Sequence, residues 1–403
     1  LGNVELADIY GVVMGESHHE PCCRASEEWD KVRGVDTVYG NEWNFYTNRE
    51  GLLRYWDEAL ARNSKYETMI TIGMRGERDS SMLGDHSSLQ QNIDLLKDII
   101  TEQNKLIKKN VNEDLSKVPR LLALYKEVES YYYGDENTTG LIDFEELDDV
   151  TIMLCEDNYG NMRTLPPSHL RDRKGGWGMY YHVDYVGAPR NSKWLNITPV
   201  QNLWEQMQLT YEYGVDKLWV LNVGDLKPKE MPIDFIMHYA WDPEAIQPGD
   251  EQAWLEGFTQ RIFGDEFAKE TADIIAKYSK YNLWRKPEVQ VPGIFNYEEM
   301  LHLNNQWQAL VVRCENLKEK IPAEAQDAFY QLVYYPAVAS AGVAMIYNAT
   351  TMGDRETIEA LMEKDQRLSD YYNKMVAGGK WNGNTGEGDA LRGASKGDRA
   401  GVC

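Results

Sequence analysis

The sequence predicts an α/β fold, a (β/α)8-type TIM barrel, followed by an all-α helical bundle. Three observations carry that expectation. Short apolar runs alternate with longer helical patterns up to about residue 245, each run ends in a dense polar cluster, and from about Glu251 only helical periodicity remains. Strands spaced by helices of this length read as βα units, hence as a parallel sheet. Six such units in one run favour a barrel over an open doubly wound sheet, and no Gly-rich phosphate loop follows any of them.

Taken in order, the candidate strands are Ile9–Met14, Thr68–Ile72, Arg120–Tyr125, Val150–Leu154, Gly178–His182 and Lys217–Leu221. Helical stretches such as Gly51–Arg62, Ser88–Lys109 and Val200–Tyr213 lie between them. The later helices are Ala253–Phe263, Glu266–Trp284, Glu298–Lys320, Ala323–Asn348 and Asp354–Val376, each at a 3.6-residue period. Pro248-Gly249, Pro292-Gly293 and Gly353 punctuate them. The expected division is a barrel over 1–248, a helical bundle over 249–378 and an unstructured tail over 379–403, which is Gly-rich, charged and without periodicity. The bundle offers a packing face to a second copy, which makes a homodimer one expected assembly.

Charge and cysteine content narrow the partners. The chain of 403 residues carries 42 basic and 65 acidic side chains, a formal net charge of −23. That balance argues against a nucleic-acid backbone or an anionic membrane as partner. No apolar run approaches the roughly 20 residues of a membrane span. Five cysteines, at 22, 23, 155, 314 and 403, are too few and too scattered for a disulfide scaffold or a zinc site. The 25 Tyr and 12 Trp outnumber the 8 Phe. Rings with a polar handle suit a surface that stacks on a polar ligand, or a core that simply favours Tyr.

The polar clusters at the strand ends are where chemistry is expected. They are Glu16-Ser17-His18-His19-Glu20, Gly73-Met74-Arg75-Gly76-Glu77-Arg78-Asp79, Lys126-Glu127-Val128-Glu129, Cys155-Glu156-Asp157-Asn158-Tyr159, His182-Val183-Asp184-Tyr185 and Asn222-Val223-Gly224-Asp225. In a parallel barrel these converge at the C-terminal mouth, where enzymes of this architecture build their sites. Strand-to-helix loops are polar in any case and often supply helix caps, so each carboxylate alone is nearly as well read as a solvated loop residue. Together they suit carboxylate chemistry. Glycosidic hydrolysis needs one protonated and one ionised carboxyl, and Glu127, Asp79, Glu156 and Asp157 are the catalytic candidates. Arg75 and Lys126 supply cations for an acidic substrate or for an ionised carboxylate. His18 and His19 are adjacent, so on a strand end they would point apart and make a poor metal site; no metal and no cofactor is expected.

At these clusters the chain resembles glycoside hydrolase family 115, the xylan α-1,2-glucuronidases. The strings that carry the resemblance are Gly11-Val-Val-Met-Gly-Glu-Ser-His-His-Glu-Pro21, Tyr39-Gly-Asn-Glu-Trp-Asn44, Thr71-Ile-Gly-Met-Arg-Gly-Glu77, Ala123-Leu-Tyr-Lys-Glu-Val128 and Leu154-Cys-Glu-Asp-Asn-Tyr-Gly-Asn161. Longest are Gly175-Gly-Trp-Gly-Met-Tyr-Tyr-His-Val-Asp-Tyr-Val-Gly-Ala-Pro-Arg190 and Leu218-Trp-Val-Leu-Asn-Val-Gly-Asp-Leu-Lys-Pro228. They occur in order over about residues 5–382.

The resemblance implies removal of glucuronic acid or its 4-O-methyl ether from glucuronoxylan or its oligosaccharides, with inversion, in a secreted or periplasmic setting. It also implies a barrel that begins upstream of residue 1, so that at least one strand lies outside this chain. Carried over by position, Glu127 becomes the general acid and Asp79 a second site carboxylate, with Glu156 and Asp157 as alternatives for the base. His18, His19, Arg75, Asn158, His182, Tyr185 and Asn222 match positions lining the pocket, Arg75 being suited to a bidentate contact with the uronic carboxylate. Two other readings stay open: a carbohydrate-binding barrel that does not cleave, and another exo-glycosidase on the same fold.

Overall fold

The computed structural model describes residues 3–15, 17–77, 80–84, 86–184, 195–224 and 226–382. Asp79, Tyr185 and almost all of the expected tail therefore lie outside the described residues. The chain divides into two compact units. The first comprises Leu1–Cys155, Arg163–Tyr180 and Glu212–Val220, and the second Glu156–Met162, Tyr181–Tyr211 and Leu221–Cys403.

Six strands form one sheet: β1 (Met14–Gly15), β2 (Thr68–Thr71), β3 (Arg120–Ala123), β6 (Thr151–Cys155), β7 (Trp177–His182) and β8 (Leu218–Asn222), in that sequential order. A small antiparallel hairpin, β4 (Gly134–Asp135) with β5 (Thr138–Thr139), is inserted between β3 and β6. Neighbours from β1 to β7 run parallel, in registers such as Ile70↔Arg120, Leu121↔Thr151 and Ile152↔Trp177. The parallel α/β class is as expected. Six strands in open order, rather than a closed ring of eight, are what the described residues show.

Of the first expected strand, Ile9–Met14, only Met14 is strand: Ile9 ends a helix and the residues between form its closing turn. Residues Asn3–Ile9 form α1. Its end is closed by hydrogen bonds from the Val12 amide to the Ala7 carbonyl (2.8 Å) and from Gly11 to Asp8 (3.1 Å), with Gly11 at φ +69°. This is a glycine-terminated helix end, and it uses up the apolar Ile9–Val13 run that reads as a strand. Only Met14 and Gly15 remain to pair with β2.

The other connections follow their sequence signals. Helix α2 (Ser26–Val32) and helix α3 (Arg49–Asn63) precede β2, and helix α4 (Leu89–Asn110) crosses from β2 to β3. Ser88 and Gln91 form a reciprocal capping box at its start, and Lys108 and Lys109 sit in its last turn. Helix α5 (Glu127–Tyr133) follows β3, and helix α6 (Val200–Glu212) leads to β8. Between β6 and β7 there is no α-helix among the described residues, only a 3-10 turn at Ser168–Leu170. On one face of the sheet Leu121, Ala123 and Met153 pack with Met69, Tyr180, Leu218 and Val220.

In the second unit the chain continues through α7 (Glu230–Trp241), α8 (Glu251–Phe263), α9 (Asp265–Trp284), α10 (Tyr297–Lys318), α11 (Gln326–Phe329), α12 (Tyr335–Met352) and α13 (Arg355–Lys374). The expected single helix Ala323–Asn348 is interrupted by a π-turn at Tyr330–Tyr334. Pro336 follows two residues later, in the first turn of α12. Its ring has no N–H to offer and pushes the preceding turn's carbonyl aside, so the helix widens there. By length and composition Ala323–Met352 is apolar enough to cross a bilayer, contrary to the expectation from the sequence, yet 89% of its most apolar window is buried within the protein.

Much of the Tyr and Trp surplus is spent on packing. Trp29, Trp56, Trp177, Tyr55, Tyr132, Tyr181, Tyr239, Tyr278, Tyr335 and Tyr372 are all fully buried. The core reading of the composition accounts for these rings.

Two measurements probe this framework. Gln103 of α4 is fully buried and brackets the residue after β2: its Oε1 accepts from the Gly73 amide (2.7 Å) and its Nε2 donates to the Gly73 carbonyl (3.0 Å). Gln103→Leu strands both backbone groups and is expected to cost roughly 2–4 kcal/mol in urea unfolding; an unchanged midpoint would refute the bracket. Burial in α10 pushes the Cys314 thiol from 9.0 up to about 12. The unfolded thiol loses its proton first, so this contribution is intact below pH 9 and is lost as pH rises towards 12. Between pH 9 and 10, Cys314→Ala should flatten the decline in unfolding free energy by up to about 1.4 kcal/mol per pH unit.

Candidate active site

In the first unit, the segment after β2 carries a buried arginine to the start of α5. A Cβ on Gly73, at φ +84°, would lie 2.8 Å from Leu122 Cδ1, so the Gln103 bracket and the glycine together set the turn. Trp43 Nε1 then donates to the Arg75 carbonyl (3.1 Å). The Arg75 side chain is 4% exposed and grips Glu127 with both arms, Nε to Oε1 at 2.9 Å and Nη2 to Oε2 at 2.7 Å. Tyr125 lies 5.4 Å from the guanidinium carbon. Glu127 is the first residue of α5, and the Lys126 that precedes it holds φ +50° and ψ −119°. A lysine in that region costs of order 1–3 kcal/mol, so the surrounding contacts hold the turn in place. Burial, and next the Glu127 charge, push Tyr131 of the same helix up to about 12.

His18 and His19 do not sit on a strand. They occupy a turn after β1, where Glu20 donates its amide to the Ser17 carbonyl (3.0 Å). Their rings are 4.0 Å apart and tilted by 42°, so the expectation that they point apart is corrected: a turn lacks the alternation of a strand. The His18 ring also contacts Tyr125 (4.7 Å) and Tyr180 (5.9 Å). The structure thus assembles His18, Arg75, Tyr125, Glu127 and Tyr180 beside the carboxyl ends of β1, β2, β3 and β7.

In the second unit, Glu156 and His182 form a buried pair through Oε1 and Nδ1. Glu156 Oε2 accepts from the Gly160 amide at 3.0 Å. Asp157 organises the same turn, accepting from the amides of Tyr159 (2.8 Å) and Asn161 (3.1 Å) and from Asn161 Nδ2 (2.8 Å). Burial works against its charge, yet those bonds and the Lys286 charge leave its carboxyl below the ordinary carboxylate range. Both Asp157 oxygens therefore serve the loop. Asn158 takes φ +63°, a conformation asparagine tolerates. Asn222 closes β8, its backbone carbonyl accepting from Val183 (2.9 Å) and its Oδ1 from Gly224 (2.9 Å).

Sequence reasoning missed several supports. Tyr181 and Asn202 both donate to the Gly160 carbonyl, at 2.8 and 3.0 Å, and Gln206 Oε1 accepts from the Met162 amide at 2.8 Å. Asn202 and Gln206 are four residues apart on α6, among the apolar Val200, Leu203 and Met207, and polar side chains on such a stripe were the available signal. The fully buried Lys229 donates to the carbonyls of Val183 (2.9 Å) and Leu195 (2.5 Å). Trp177 opens β7 at the end away from these clusters and donates to the Leu170 carbonyl. Among the described residues no three His, Cys, Asp or Glu side chains come together as a metal site.

Chemically, one unit holds a carboxylate against a buried guanidinium among aromatic rings, and the other a sealed carboxylate on an imidazole. The model of the family described as Glycosyl hydrolase family 115 matches residues 1–289 of the 403, and the chain belongs to that family. Among solved structures, it is similar to a family GH115 4-O-methyl-α-glucuronidase with specificity for decorated arabinogalactans, at 30% identity and a TM-score of 0.83. That similarity covers 94% of this chain and 51% of the other, so the chain spans about half the length of that relative. No curated protein matches the sequence.

The Arg75–Glu127 contact has a measurable strength. Glu127→Gln leaves a guanidinium buried without its counter-charge and should cost roughly 2–4 kcal/mol in chemical unfolding. In a double-mutant cycle with Arg75→Met the coupling should exceed about 1 kcal/mol. Additive losses would show that the pair contributes nothing beyond its separate packing.

Proposed function

We propose that this member of family 115 is the catalytic portion of an inverting, two-carboxylate glycosidase that removes α-1,2-linked glucuronic acid or 4-O-methylglucuronic acid from xylan. The observation that carries the reading is the buried Arg75 fork engaged with Glu127 beside His18, Tyr125 and Tyr180. A guanidinium so placed matches a planar carboxylate in a way a neutral sugar cannot reproduce. The relative's activity on 4-O-methyl-glucuronic acid supports the same substrate class.

In this reading residues 1–248 contribute a (β/α)8-type catalytic domain and 249–378 a helical domain, in a secreted or periplasmic protein. Arg75 exchanges its contact with Glu127 for the uronate carboxylate as substrate enters. Glu127, released from the guanidinium, takes up a proton from solvent and then gives it to the glycosidic oxygen as the bond to C1 breaks. A water attacks C1 from the opposite face and yields its proton to the second carboxylate, so the product carries the inverted configuration. Asp79 is the proposed partner, because the oxygens of Asp157 are committed to its own loop and those of Glu156 to His182 and Gly160. Glucuronidated arabinogalactan is the second substrate to consider, from the specificity in the relative's description.

The test is product analysis by proton NMR, with the full chain on glucuronoxylan and on glucuronidated arabinogalactan, without added metal or cofactor. The β-anomer of the uronic acid should appear first. Glu127→Ala should reduce its release by about 10²–10⁴-fold. Near wild-type release from that variant, or none from either polymer by the wild-type chain, would overturn the proposal.

A further inference from the structure

A cavity of about 330 Å3 opens in the first unit beside the segment that carries Arg75. Gly76, the next residue, lines it together with Trp43, whose indole N–H holds the Arg75 carbonyl at 3.1 Å. Its floor is buried and apolar. Trp43 and Met82 are 8% and 7% exposed, and the Trp43 ring is held edge-on by Trp29, Tyr55 and Trp56, with centroids 5.4, 6.0 and 6.5 Å away. Because its one donor is committed to Arg75, that ring has only carbon to offer a ligand. The Gly76 amide donates to the Ser80 carbonyl (2.8 Å), and a Cβ on Gly76 would lie 2.3 Å from the Ser81 carbonyl oxygen. Glycine is what lets this wall close on itself.

The rim is polar, and much of its hydrogen-bonding capacity is unspent among the described residues. Asn44 Oδ1 accepts from the amides of Tyr46 (2.9 Å) and Thr47 (3.3 Å), which leaves its Nδ2 to donate. Glu42 Oε2 accepts from the Thr47 hydroxyl, which leaves Oε1 to accept. The exposed Asn41 amide makes no side-chain hydrogen bond with the described residues. The charges are mostly matched, since Arg33 pairs with Glu77 at 2.8 Å.

From this arrangement we infer that the cavity is a subsite for one neutral pyranose of the polysaccharide main chain, seated over Trp43 and Met82 and hydrogen-bonded by Asn41, Glu42 and Asn44. A pyranose has an apolar C–H face and a rim of hydroxyls that both donate and accept, which matches this floor and rim. With Arg33 tied to Glu77 and Glu42 adding a negative charge, an anionic sugar gains nothing here. The volume lies at the low end of the roughly 300–1,000 Å3 of small-molecule pockets, room for one sugar residue. That this sugar belongs to the chain bearing the uronic acid rests on the glycosidase reading, in which Arg75 takes the uronate; the affinity for a neutral sugar does not.

The experiment is isothermal titration calorimetry of the full chain with undecorated xylotetraose and with an undecorated galactan tetrasaccharide, at millimolar concentration. At least one should bind, and the tighter of the two identifies the main chain. Asn44→Asp keeps an oxygen for the two backbone amides and exchanges only the donor, whereas Asn41→Ala removes an exposed amide. Each should weaken binding about three- to tenfold. Where Asn44→Asp fails to fold, Asn41→Ala decides. Glucuronic acid at the same concentration should not displace the tetrasaccharide. Binding of neither tetrasaccharide, an affinity unchanged in both variants, or displacement by glucuronic acid overturns the inference. No bond is broken in this assay, so binding without cleavage of either polymer would leave the sugar site standing and remove the glycosidase reading alone.

Discussion

Where a parallel ladder stops, the last amides and carbonyls of each strand lose their partners while still buried, and water is not there to replace them. Side chains must do so, because an orphaned buried amide or carbonyl costs as much as a lost hydrogen bond. The region beyond the strand ends is organised by that need. Gln103 closes both backbone groups of Gly73 after β2, Glu156 takes the Gly160 amide after β6, and Lys229 takes the carbonyls of Val183 and Leu195 after β7.

This explains why so few of the polar residues at the strand ends are available for chemistry. Asp157 reads as a catalytic carboxylate by type and position, yet its oxygens hold Tyr159 and Asn161. Glu156 is spent on Gly160 and His182. Glu127 differs because its partner is a side chain, Arg75, that another carboxylate can take over without leaving backbone groups unmatched. The strained turn at Lys126 puts it at the first position of α5, where its carboxylate meets the fork.

Much of the fold was legible in the sequence. The alternation of short apolar runs with amphipathic stretches located five of the six sheet strands to within a residue or two and most of the helices. It failed at Ile9–Met14, where Gly11 ends a helix, and at Tyr330–Tyr334, where Pro336 forces a wider turn. Both failures come from backbone hydrogen bonds, which an apolar pattern does not report. The excess of Tyr and Trp pointed two ways, and the burial of Trp29, Trp56, Tyr335 and Tyr372 shows how large the core's share is.

What the sequence determined by itself was the class of fold, the family, and which polar residues follow which strands, because these depend on local periodicity and on residues near one another in the chain. The tertiary structure decided which of those residues are partners. Arg75 and Glu127 are 52 positions apart and Glu156 and His182 are 26 apart, and no local pattern couples them. Burial made the choice: a guanidinium or carboxylate removed from water requires a matching group at hydrogen-bonding distance, and only the folded chain brings one there.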